Sequence, residues 1–129
     1  MGGVITQTTY RKAKTQEELV RRFARIMRQR YGATLYLFGS RARGTAGEDS
    51  DYDIVAVSEA FRGQKRTARV VDRFYLWLEA GGWGQGLDLH CYTPEEFHEQ
   101  TKDGIGYLGQ AWRRGELIVI RTLQDIPTP

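Results

Sequence analysis

The stretch Asp51-Tyr52-Asp53-Ile54-Val55-Ala56-Val57 constrains this chain more than any other. Its β-branched run reads as a strand, and a strand points alternate residues to one face, so Asp51 and Asp53 project together a few ångströms apart. Two like charges at the head of an apolar strand are costly to hold together unless a cation offsets them. Hard carboxylate oxygens of this kind suit Mg²⁺. The strand therefore predicts a sheet that buries one face and a metal site at its acidic end.

The rest of the chain supplies neighbours for that strand. Leu35-Tyr36-Leu37-Phe38 is a short apolar run ending at Gly39-Ser40, and predicts a buried strand that delivers the chain to a loop over Arg41 to Ser50. Leu87-Asp88-Leu89-His90-Cys91-Tyr92 alternates, with Leu87, Leu89 and Cys91 on one face and Asp88, His90 and Tyr92 on the other. Leu117-Ile118-Val119-Ile120 predicts a terminal strand. If the strands of Asp53 and Asp88 are neighbours, a third carboxylate converges on the same point. Three acids can hold two metal ions, one at the attacking oxygen and one at the leaving group.

Helices are expected between the strands. From Thr15 to Arg30, Leu19, Val20, Phe23, Ile26 and Met27 recur at helical spacing, with Thr15 as cap, Glu18 completing a capping box and Gly32 as the stop. Val70, Val71, Phe74, Trp77 and Leu78 predict a second amphipathic helix closing at Gly81-Gly82, with its Trp and Phe in the core. Thr93-Pro94-Glu95-Glu96 opens a third, Gly104 and Gly106 interrupt it, and a last helical stretch covers roughly Tyr107 to Arg114. Helices alternating with strands give an α/β or α+β sandwich.

At 129 residues the chain fits one domain over 1–129, with loose ends expected over 1–14 and 121–129. Hydrophobic residues at 40% and charged residues at 27% exclude wholesale disorder and fibrous repeats. No apolar run reaches the ~18 residues of a membrane span and no signal peptide opens the chain, so the expected location is the cytoplasm. The lone Cys91 suits a reducing compartment and a buried strand. A formal charge of +3 favours an anionic partner, and much of the excess is local, in Arg21, Arg22, Arg25, Arg28 and Arg30. These arginines predict the solvated face of the first helix.

The phosphate end of the site is expected at Gly39-Ser40, where glycine admits close backbone approach and the serine hydroxyl with exposed N–H groups can hold phosphate oxygens. Arg41 and Arg43 stand beside it and could neutralise triphosphate charge. His90 shares a face with Asp88 and could assist, though a satisfied or solvent-facing histidine is the plainer reading, and His98 belongs on a helix surface.

Strand, Gly39-Ser40, ten residues, Asp51-x-Asp53 on an apolar strand, and then a lone strand acid at Asp88 together resemble the signature of the polymerase-beta-like nucleotidyltransferase superfamily. Gly39-Ser40-Arg41-Ala42-Arg43-Gly44-Thr45 and Ser50-Asp51-Tyr52-Asp53 resemble its minimal nucleotidyltransferase branch, whose members include antitoxins paired with HEPN-domain ribonucleases. The resemblance implies a mixed sheet flanked by helices, Mg²⁺ dependence, ATP or another nucleoside triphosphate as substrate, and transfer of a nucleotidyl group, commonly adenylyl, to a hydroxyl. By that match Gly39 and Ser40 hold the triphosphate, Asp51 and Asp53 ligand metal, and Asp88 ligands metal and accepts the hydroxyl proton. Larger relatives carry further domains for base and acceptor, so here the acceptor is expected on this small surface or from another chain. In HEPN-paired members it is a tyrosine of the toxin. Two other readings stand beside the enzyme: a toxin-neutralising module that works by contact with its acids idle, and a nucleic-acid-binding domain built on the Arg21 to Arg30 helix.

Overall fold

Four strands and five helices account for most of residues 13–122, which the computed structural model describes. The first helix, α1 (Gln16–Tyr31), starts where the sequence puts it: Thr15 Oγ1 accepts from the Glu18 amide at 3.1 Å, and Glu18 Oε2 accepts from the Lys14 amide at 2.8 Å. Gly32 ends it in the left-handed region at φ 64°, its N–H bonding back to the carbonyls of Arg28 and Met27. β1 (Thr34–Phe38) follows. Then comes a departure from expectation: Gly39–Arg43 is not the start of a loop but a short helix, α2. Its single turn is too brief to leave a periodic apolar signal.

β2 (Tyr52–Val57) pairs antiparallel with β1, placing Phe38 opposite Asp53 and Thr34 opposite Val57. After a 3₁₀ turn at Glu59–Phe61, α3 (Ala68–Glu79) carries the chain to β3 (Leu87–Tyr92), which lies parallel to β2. A parallel neighbour requires such a crossover. Two helices then follow in succession rather than in alternation with strands, α4 (Pro94–Thr101) and α5 (Gly106–Arg113), before β4 (Ile118–Ile120) pairs antiparallel with β1. The strand order is β3-β2-β1-β4, a mixed sheet flanked by helices.

Each sheet face has its own cluster. Under α1 and α3, Phe23, Met27, Leu35, Ile54 and Trp77 are almost wholly buried. On the other face Phe38, Val55, Tyr92, Leu108 and Ala111 pack beneath α4 and α5, with Tyr36 stacked on Phe97 at 5.0 Å. Alternation along β2 supplies both: Tyr52, Ile54 and Ala56 to the first cluster, Val55 and Val57 to the second.

The expected inner face of α3 is corrected. Trp77 is buried, but Val71, Phe74 and Tyr75 are exposed, while Arg69 and Arg73 are buried. Arg69 donates to the Cys91 carbonyl at 3.0 Å, the Gln64 carbonyl at 3.0 Å and Glu96 Oε1 at 2.6 Å. Arg73 lies over the Tyr31 and Phe61 rings, 4.3 and 5.1 Å from their centroids, and donates to Gln64 Oε1. Rings and carbonyls thus replace the water these guanidinium groups lose. Cys91 is buried as expected, and burial pushes its thiol up to about 11. Of the stretches expected to be loose, Ala13 bonds to the Gly81 carbonyl, Thr122 is buried, and Lys14 and Arg121 are exposed; 1–12 and 123–129 lie outside the described residues. No helix of the described residues is long and apolar enough to cross a membrane.

Candidate active site

The sheet register sets two of the three carboxylates side by side. Asp53 is the direct partner of Asp88 in the parallel β2–β3 ladder, and neighbouring strands lie about 4.8 Å apart. Asp51 immediately precedes β2, where the Tyr52 amide donates to the Gly86 carbonyl at 2.8 Å. All three belong to the face that carries Val55, Val57 and Tyr92, at the end of the strands where β1 runs into α2.

Two glycines make room for the acids. A side chain on Gly39, whose φ is 71°, would collide with the Asp53 carboxylate. One on Gly86 would collide with the Asp51 carboxylate. Gly39 was expected to admit a phosphate, and the structure adds that it admits Asp53. The sequence reading missed Gly86, because its role depends on the β2–β3 register.

Asp53 is held above the usual carboxylate range, first by partial burial, then by the Asp88 charge, by a hydrogen bond a protonated Asp53 can donate to Asp88, and by the Asp51 charge; His90 opposes these. His90 Nε2 stands 3.4 Å from Asp88 Oδ1, with its ring near Phe38 at 6.1 Å and parallel to Tyr92 at 6.4 Å. It shares the face of Asp88 as expected, and is 41% exposed. Three acids therefore meet with one imidazole. Among the described residues, no three His, Cys, Asp or Glu side chains form a closed ligand set. The donor chemistry and the upward shift of Asp53 beside Asp88 and Asp51 fit an oxygen-seeking divalent cation, which Asp51, Asp53 and Asp88 would hold.

The expected phosphate end, Gly39-Ser40, opens α2. Phe38 precedes it in extended conformation, no side chain caps its first turn, and Ser40 lies there partly exposed. Uncapped first-turn N–H groups are donors in want of an acceptor. Arg43 is exposed beside them. Arg41 is the exception among the expected residues. Its guanidinium lies over the Tyr52 ring at 4.2 Å, donates to the Ser50 carbonyl at 2.7 Å and to the Glu48 carbonyl at 3.2 Å, and so braces the loop that leads to Asp51. Tyr52 belongs to the opposite face of the sheet from Asp53, and Arg41 follows it there instead of flanking the triphosphate position. His98 is exposed on α4, as expected.

A family model of the nucleotidyltransferase domain matches residues 20–111. The chain belongs to that family. The matched span holds Gly39, Ser40, Gly86 and the three acids. Among solved structures, a Sulfolobus solfataricus protein described as a nucleotidyltransferase resembles it at 20% identity and a TM-score of 0.45, over 77% of this chain and 80% of that one. Comparison with curated proteins gives no match.

Proposed function

We propose that this nucleotidyltransferase domain moves AMP from ATP, with Mg²⁺, onto a protein hydroxyl in the cytosol. One observation carries the reading: Asp53 and Asp88 are register partners, with Gly39 of the phosphate end pressed against Asp53. Gly39, Ser40 and Arg43 hold the triphosphate, and Asp51, Asp53 and Asp88 hold the metal. Mg²⁺ bound there offsets the charge that builds on the transferring phosphate. Asp88 takes the acceptor hydroxyl proton as the oxygen forms its bond to the α-phosphorus; the bond to the β-phosphate breaks and pyrophosphate leaves. The acceptor we propose is a tyrosine of a HEPN-domain toxin, with the domain acting as its antitoxin. This rests on the resemblance of residues 39–53 to the minimal branch.

The test is incubation with Mg²⁺, α-labelled ATP and a co-expressed HEPN candidate, with Asp51→Asn and Asp53→Asn as controls. Label on the candidate that falls at least about a hundredfold in both variants, with the circular dichroism unchanged, is the expected result. Full labelling by both variants would overturn the assignment. Neutralisation that persists without labelling would favour a module that works by contact.

A further inference from the structure

Beyond the acids, on the same sheet face, stands a chain of rings. Phe38, the register partner of Asp53, is 1% exposed. Its ring lies between that of His90, at 6.1 Å, and that of Tyr107, at 5.6 Å. The Phe38–Tyr107 contact is edge-on, at 68° between planes, and Tyr107 is 70% exposed. An edge-on contact fixes a ring while leaving a face open. Tyr107 is therefore anchored to the buried neighbour of the site and presents an unoccupied aromatic surface to solvent. Ile105, 74% exposed, extends it, set between Gly104 and Gly106 in left-handed conformations.

We propose that Tyr107 is the shelf on which the nucleobase of the bound triphosphate stacks. The inference rests on the nucleotidyltransferase reading. In that reading the phosphates are fixed at Gly39, Ser40 and the carboxylates, so the ribose and base project beyond them. Of the four rings linked at this rim, Phe38 and Tyr92 are buried and His90 is engaged with Asp88. Tyr107 is the one with an open face. Stacking is indifferent to which base is offered, because every base has a π-face. The shelf therefore adds affinity for a nucleoside without choosing among bases.

Calorimetric titration with Mg²⁺·ATP and with Mg²⁺·tripolyphosphate, which lacks sugar and base, tests this on the wild-type chain, Tyr107→Ala and Tyr107→Phe. The expected result is that Tyr107→Ala weakens ATP about tenfold, leaves tripolyphosphate unchanged, and that Tyr107→Phe binds ATP as the wild type does. ATP binding unchanged in Tyr107→Ala overturns the shelf while leaving the phosphate and metal site intact. Equal weakening of both ligands overturns it too, by marking Tyr107 as a prop for the site. A wild-type chain that binds neither ligand overturns the shelf together with the reading beneath it.

Discussion

The two faces of one sheet differ in how completely they are closed. Under α1 and α3, Leu35, Ile54, Ala56, Leu89 and Cys91 are all buried. Under α4 and α5 the seal covers Tyr36, Val55, Val57 and Tyr92 but stops short of the strand ends, where Asp51 and Asp88 are exposed and Asp53 is half-buried. Both faces are made by the same strands, with residues in alternation, so β2 contributes Ile54 to the core and, one position earlier, Asp53 to the candidate site. The difference teaches that the site sits where helical cover ends. There, carboxylates lie close enough to repel, and Asp53 is held up by its partial burial and its acidic neighbours.

Trp77→Ala should have the largest effect on this contrast. Trp77 is fully buried, meets Phe23 edge-on at 5.1 Å and Tyr52 at 5.2 Å, and donates from Nε1 to the Gln85 carbonyl at 3.0 Å. Its loss should destabilise the fold by about 3–5 kcal/mol in urea unfolding. A loss below about 1 kcal/mol would mean the sealed face is not the seat of stability. Arg69→Met comes next, at about 2 kcal/mol, since it strips the Cys91 carbonyl and Glu96 of their donor. Part of the Glu96 term is screened by water, that side chain being partly exposed. Cooperative unfolding at unchanged midpoint would show that the buried arginine is dispensable.

On the open face the sign reverses. Asp53 has its folded-state pKa raised, so its contribution to stability is present at low pH and is lost as pH rises through that folded value. Asp53→Asn removes the charge and should raise stability by about 0.5–1 kcal/mol at pH 7 with EDTA. Millimolar Mg²⁺ should abolish the gain by stabilising the wild type alone. A lowered midpoint in EDTA would mean the acids do not repel one another, and the case for a cation would lose its physical basis.

Much of this could be read from the chain. The capped start of α1 and its glycine stop were visible, as were the strands, because β-branched runs and alternation are local signals. The convergence of Asp53 and Asp88 was legible as well, conditional on their strands being neighbours, and the two strands do pair. What was hidden depends on pairing: Gly86 matters because β2 and β3 run parallel in one register, and Arg41 leaves the phosphate end because Tyr52, beneath it, faces the other way. Tyr107 escaped notice because an exposed aromatic says nothing until its neighbour Phe38 is found beside the site.

The smallest expected effect concerns the one helix the sequence turned inside out. Residues 70, 71, 74, 77 and 78 carry an apolar pattern, yet α3 presents Arg69 and Arg73 inward because rings and carbonyls wait there for guanidinium groups. Phe74 is 46% exposed on the outer side. Phe74→Ser should therefore lower the unfolding free energy measured in urea by no more than about 0.5 kcal/mol, where Phe23→Ser on α1 should cost several. Equal losses at the two positions would place Phe74 in a core and restore the helix to the orientation its hydrophobic pattern suggests. A small loss at Phe74 alone would mean that the outer stripe of α3, with Val71 and Tyr75, lies outside the core while Arg69 and Arg73 are buried within it, the Arg73 Nε without a hydrogen-bond partner.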